Sequence, residues 1–298
     1  MIYMSIKGVI IKGVGGLYTV KTARSLIACS PRGVFRKTGQ TLLAGDYVEI
    51  VKIDDEVNRD DSYRIENVLP RKNQLLRPPV ANVDQLVIVA SICEPNFNPQ
   101  LVDIMTVLAE YNDMEPIVVI TKTDLMTAQK WREVYESAGF KCICTDNVHE
   151  NIVELERILN GKISAFSGNS GVGKTTLLNA LAPGLNEKTG EISDKLGRGR
   201  HTTRVSEIFD IGDDTYIIDT PGFSSVDINV VQPMECAELQ HCFPDFEEYI
   251  FNCKFNNCVH VGEIGCAVKA AVEAGKIAES RYGSYLNFYK SLNERVLW

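Results

Sequence analysis

The chain has 298 residues, longer than one usual domain, and its 45% hydrophobic and 23% charged residues are the balance of a folded protein with packed cores. No uninterrupted apolar stretch approaches the roughly 20 residues that span a bilayer, and the start MIYMSIKGVI has no basic segment leading into a long apolar one. A cytoplasmic protein without membrane partners is expected. The net charge of −8 argues against nucleic acid as a partner, though it leaves room for a local basic face, and nine cysteines without a secretory leader favour reduced thiols or metal ligands over a disulfide framework.

From residue 5 to about 70, short β-rich runs alternate with glycine turns: KGVIIKG, GGLYTV, SLIACS, GVFRKTG, AGDYVEIVKI and YRIENVL. Short strands at close spacing predict a small barrel, with DDEVNRDDS as a solvated hairpin tip. The prolines and basic residues of LPRKNQLLRPPVANVD then mark a linker at about 70 to 82. From 86, the apolar runs LVIVAS, PIVVIT, KCICT, ISAFSG and TYIIDT alternate with helix-length segments, which predicts a mostly parallel sheet covered on both faces. Past 227 the pattern turns helical around a cysteine-rich loop. The expected domains are 1–72, 73–226 and 227–298.

The strongest motif is Gly168-Asn169-Ser170-Gly171-Val172-Gly173-Lys174-Thr175, followed by Thr176. It fits G-x-x-x-x-G-K-[ST] between the strand ISAF and a helix, so backbone N–H groups and a helix N-terminus would surround phosphate oxygens. Lys174 would neutralise the β- and γ-phosphates, and the Thr175 hydroxyl would ligate Mg²⁺. IIDTPG supplies a strand ending in Asp219, expected to hold Mg²⁺, and Gly222, whose amide would sense the γ-phosphate. Between them GEISDKLGRGRHTTRVSE is polar and glycine-rich; Thr202 or Thr203 would offer Mg²⁺ a hydroxyl there, and the sequence does not choose between them.

A base reader comes earlier in the chain. Thr121-Lys122-Thr123-Asp124 follows the strand PIVVI, and the Asp124 carboxylate can accept two hydrogen bonds from guanine that adenine does not offer. Lys122 would lie along the base, while Thr121 stands where an asparagine is usual. A base reader ahead of its phosphate loop implies a nucleotide domain closed through its old ends and reopened after the second switch. The position after Gly222, where a water-orienting glutamine is common, is Phe223; His201, beside the switch threonines, is expected to take that catalytic role.

CKFNNCVHVGEIGC sets Cys253, Cys258, His260 and Cys266 at spacings that let one loop wrap a tetrahedral ion. Three thiolates and an imidazole close the coordination, so structural zinc is expected; Cys236, His241 and Cys242 are rival ligands nearby.

Together these motifs, with GGLYTV, GDYVEI, PRKNQLLRP, VANVDQLVIV, GRGRHTT and GCAVKAAVEAGKIAESRYGSY, resemble the circularly permuted GTPases of the RsgA (YjeQ) type, over essentially the whole chain. The resemblance implies an N-terminal OB-fold barrel, a central permuted P-loop GTPase domain and a C-terminal helical zinc domain, in a multidomain α/β protein. It implies GTP hydrolysis, stimulated on the small (30S) ribosomal subunit late in its maturation, with 16S rRNA bound through the outer domains and release on hydrolysis. Guanine recognition then falls on Thr121, Lys122 and Asp124, phosphate binding on Gly168 to Thr176, and zinc on the Cys3His set. A monomer is expected, with Arg32, Arg36, Lys37, Arg71 and Lys72 grouped on one basic face.

Overall fold

A computed structural model describes residues 5–53, 62–76, 79–146, 151–183, 208–219 and 234–295. Contacts gather them into two compact units, one drawn from Met1–Asp84, Leu159–Ala165 and Gly184–Asp219, the other from Gln85–Ile158, Phe166–Pro183 and Thr220–Trp298.

In the first unit, β1 (Ile6–Val14), β2 (Leu17–Thr22), β3 (Leu26–Pro31), β4 (Tyr47–Ile53) and β5 (Ser62–Val68) close into a barrel in the order β1-β2-β3-β5-β4. Alternation along these strands turns Ile10, Val20, Cys29, Val48, Ile50 and Ile65 inward, all without exposure. GVFRKT, expected as a strand, is instead the short helix α1 (Gly33–Thr38). The reason is local: among the described side chains of 32–40 only Phe35 is buried, so no second inward position continues a strand, and the Thr38 hydroxyl bonds back to Val34 O at 3.1 Å.

The proline-rich segment expected as a linker forms the hairpin β6 (Gln74–Leu76) and β7 (Pro79–Ala81), joined to the barrel by a bridge from Ala44 to Val80. Arg71 grips the fully buried Asp46 through two bonds of 2.6 and 2.8 Å and donates to Thr41 O at 2.7 Å. Asn82 accepts from Lys72 N and donates to Gly45 O, both at 2.9 Å. The same unit holds the antiparallel pair β12 (Ile208–Gly212) and β13 (Thr215–Asp219), where Asp210 meets Lys21 of the barrel at 2.5 Å.

In the second unit, β8 (Gln85–Ser91), β9 (Glu115–Thr121) and β10 (Lys141–Thr145) run parallel. Every residue of β8 is buried, as a strand covered on both faces requires. Their connections carry α2 (Pro99–Tyr111), α3 (Gln129–Ser137) and α4 (Ile152–Leu159). α2 starts where Asn98 accepts from Leu101 N at 3.3 Å and Pro99 presets the first turn. β11 (Ile163–Ser167) leads through a glycine-rich turn into α5 (Lys174–Leu181). Within this unit the parallel strands lie in the order β10-β9-β8. Beyond them stand two 3-10 turns, the single-turn α6 (Glu247–Ile250), α7 (Ala267–Glu273) and α8 (Glu279–Arg295). Among the described residues no helix is long and apolar enough to cross a membrane.

Removing Arg71 strands a buried carboxylate whose remaining donor among the described residues is the Leu43 N–H, at 2.8 Å. Arg71→Met is expected to lower the unfolding free energy by about 3 kcal/mol, read from urea denaturation followed by circular dichroism.

Candidate nucleotide and metal sites

The phosphate loop is shaped by its backbone. Gly171 and Gly173 take φ of 80° and 88°, a region that side chains rarely enter, and Gly173 is the residue from which α5 departs. Gly168 is held so close to β8 that a Cβ there would lie 2.5 Å from Val89 O. Lys174, Thr175 and Thr176 form the first turn of α5, and both threonines are exposed. The arrangement is the one that binds phosphate oxygens through N–H groups and a helix N-terminus.

The base reader stands beside this loop although 51 residues separate the bonded atoms in sequence. The Thr121 hydroxyl, fully buried at the end of β9, donates to Val172 O at 2.6 Å and lies 3.3 Å from Ala90 O. Threonine at this position thus ties base reader to phosphate loop, so the missing asparagine amide does not leave the two apart. Lys122 takes a φ of 60°, and its ammonium bonds Glu94 O. Thr123 N–H reaches Thr145 O at 3.4 Å, and Asp124 is exposed, free to face a base. Glu94 acts through its carbonyl, which no side-chain pattern announces.

β13 ends at Asp219. His201, Thr202, Thr203, Gly222 and Phe223 lie outside the described residues.

Cys253, Cys258, His260 and Cys266 bring one ligand atom each within 4.8 Å of one another. Nδ1 of His260 is 3.6 Å from Cys253 Sγ and 3.3 Å from Cys266 Sγ, and the two sulfurs are 4.0 Å apart. Tetrahedral zinc with bonds of about 2.3 Å to sulfur needs ligand separations of about 3.7 Å, so the set fits. Burial favours the neutral imidazole of His260, the form that ligates. Burial, with the neighbouring sulfurs, pushes the Cys258 thiol up to about 12, so thiolates crowded here call for a compensating cation.

The loop is folded by groups outside the ligand set. His260 takes a left-handed φ of 59°, with its carbonyl held by Tyr282 OH at 2.7 Å. Gln240 Oε1 stands 2.9 Å from His260 Nε2, which fixes the ring and leaves Nδ1 facing the sulfurs. The Glu263 carboxylate accepts from the N–H groups of Val259, Val261 and Gly262 at 2.8 to 3.0 Å. Burial opposes its charge, yet these N–H groups win and hold its pKa below the ordinary value. At the start of α7, Ala267 N–H points to Cys253 Sγ at 3.3 Å and Lys269 N–H to Cys266 Sγ at 3.5 Å. The rival ligands stay apart: buried Cys242 lies 3.7 Å from Glu238 O, while His241 is exposed.

The sequence profile of the RsgA GTPase family matches residues 68–229, and that of the RsgA N-terminal domain matches residues 7–58. A relative from Caldanaerobacter subterraneus subsp. tengcongensis, named small ribosomal subunit biogenesis GTPase RsgA, is 45% identical over 294 residues, 97% of each chain. The chain belongs to the RsgA family of GTPases. A second RsgA, from Bacillus cereus, is 44% identical over 97% of this chain and 98% of its own. Among solved structures, YloQ, a circularly permuted GTPase, superposes with a TM-score of 0.81 at 34% identity, covering 98% of this chain and 96% of its own. YjeQ from Thermotoga maritima gives 0.80 at 36%, covering 97% and 99%. The RsgA-type permutation accounts for the motif order, and the five-stranded barrel and Cys3His cluster complete the expected fold.

The basic face expected on the barrel is largely engaged in ion pairs. Arg32 meets Glu66 at 2.6 Å, Arg71 grips Asp46, and Lys72 pairs with Asp84. Lys37 is exposed, and the Arg36 side chain lies outside the described residues.

Gly168→Ala would drive a Cβ into Val89 O and displace the phosphate loop. GDP affinity is expected to fall by about a hundredfold, measured by titration with a fluorescent guanine nucleotide.

Proposed function

We propose that this GTPase is an assembly factor acting late in maturation of the small ribosomal subunit, stimulated by that subunit and released from it on GTP hydrolysis. The support is the name carried by its relatives, small ribosomal subunit biogenesis GTPase, over nearly their full lengths. The observation that carries the nucleotide reading is the bond from Thr121 to Val172 O, which sets a guanine reader against a phosphate loop. In this reading the protein is a cytoplasmic monomer of three domains, 1–72, 73–226 and 227–298, and 16S rRNA meets the barrel and the zinc domain.

At the site, Asp124 accepts the two guanine donors, Lys122 lies along the base, Thr121 and Thr123 fix the turn, and residues Gly168 to Thr176 enclose the phosphates. Lys174 neutralises charge that builds between the β- and γ-phosphates. Mg²⁺ would be held by Thr175, Asp219 and either Thr202 or Thr203, supplying further positive charge to the same oxygens. His201 orients the attacking water where Phe223 cannot, and Gly222 reports loss of the γ-phosphate to the metal-bearing domain. Cys253, Cys258, His260 and Cys266 hold one structural zinc, which leaves no open position for catalysis.

GTP turnover measured with and without purified small subunits tests the whole reading: a several-fold rise is expected, and equal rates would reject it. Thr121→Val, which keeps shape but loses the hydroxyl, is expected to weaken GDP binding about tenfold, or about 1.4 kcal/mol, in a fluorescence titration. His201→Ala is expected to keep GTP affinity and lose stimulated turnover; full turnover would remove His201 from the mechanism.

A further inference from the structure

α8 carries a fully buried arginine between two carboxylates from distant parts of the chain. Arg281 donates to Asp103 Oδ1 on α2 at 2.8 Å and to Asp245, in the turn before α6, at 2.8 Å. It also reaches the Thr106 hydroxyl on α2 at 3.2 Å, and its guanidinium lies over the rings of Phe140 and Phe243 at 5.0 and 4.6 Å. Nothing in the phosphate, base or metal chemistry uses this residue. A charge is seldom buried so completely unless it is paired, and here the two partners come from separate elements that the pairing joins.

Each end of this grip leads to a site. The loop entering α2 carries Glu94, whose carbonyl holds Lys122 of the base reader, and Pro95, whose Cδ would lie 3.7 Å from a Cβ on Gly171 of the phosphate loop. Phe97 of that loop stacks on Trp131 at 4.7 Å. On the other side, the residue after Arg281 is Tyr282, which holds His260 O, and one turn on Tyr285 holds Val259 O at 2.8 Å. Phe246, next to Asp245, packs at 6.2 Å from the His260 ring. A single rigid helix therefore touches α2 and the backbone of the metal loop.

We propose that Arg281 couples the guanine nucleotide site to the metal loop, through α2 on one side and α8 on the other. Arg281 is a positioning residue. It touches neither nucleotide nor metal, and nucleotide that stills the loop entering α2 thereby tightens the metal loop; by reciprocity, a filled metal loop favours bound nucleotide. The inference rests on zinc occupying the Cys3His set and guanine nucleotide occupying the phosphate loop, and it involves no ribosomal partner.

The test is the rate at which the zinc-loaded full chain loses its metal to a chromophoric chelator, with no nucleotide, with GDP and with a non-hydrolysable GTP analogue. Saturating nucleotide is expected to slow release about fivefold. Asp103→Leu removes the charged contact at the α2 end, keeping only the Thr106 hydroxyl there, and leaves Arg281 paired with Asp245; it is expected to bring the ratio below about two while zinc stoichiometry stays at one per chain. Asp103→Asn, which keeps the acceptor oxygen, is expected to retain the native ratio. Should Asp103→Leu purify without zinc, Thr106→Val decides, because it removes one hydroxyl contact and is expected to lower the ratio part-way. Equal release with and without nucleotide in the native chain, or an undiminished ratio in Asp103→Leu or Thr106→Val, overturns the coupling. A native chain that takes up no zinc or no nucleotide fails at the underlying reading, which the stoichiometry and the titration reveal separately.

Discussion

The bond from the Thr121 hydroxyl to Val172 O is the constraint on which the nucleotide site depends. Phosphate loops and base readers are separate pieces of chain, and a nucleotide is bound well only when both sit at fixed separation. Parallel strands deliver both pieces to the same edge of the sheet whatever their order along the chain. The hydroxyl then removes the remaining freedom. It is buried without exposure, so water does not compete for the carbonyl it occupies. The early base reader is thus a matter of connectivity, while the site itself is a matter of strand order and one hydrogen bond.

The metal loop is solved by a different kind of physics. Fourteen residues from Cys253 to Cys266 are too few to bury an apolar core, and their shape comes from converging ligand atoms together with the Glu263, Gln240, Tyr282 and Tyr285 contacts. Arg281 then replaces what would be an apolar seam by a charged one. Apolar contacts tolerate sliding, whereas a guanidinium between two carboxylates holds one register.

Much of this was legible in the residues. Short β-rich runs between glycine turns announce the barrel and continuous apolar runs the sheet, and the phosphate loop and Cys3His spacing carry their chemistry in the letters. What stayed hidden falls into two kinds. GVFRKTG has the β-branched and aromatic residues of a strand, while its conformation as α1 is set by one buried ring and a side-chain bond to Val34 O. The Thr121 tether, the Glu94 carbonyl, Gln240 and Arg281 act through contacts made 20 to 178 residues away, and no local pattern encodes such partners. The basic face was inferred from residue type alone; the acids that neutralise Arg32, Arg71 and Lys72 become neighbours only through the fold.

Phe251 and Ile264, on and beside the metal loop, are each 82% exposed, more than any other large apolar side chain among the described residues. A segment held by converging Cys and His side chains and by hydrogen bonds to its backbone is released from the usual demand that such residues turn inward, and here they are turned out as a display. The same release has a cost in colloidal terms. Two large apolar side chains stand in water while the four ligand atoms converge. Each forgoes about 1.5 to 3 kcal/mol of apolar burial, and exposed apolar surface of this kind raises the tendency of a folded chain to associate.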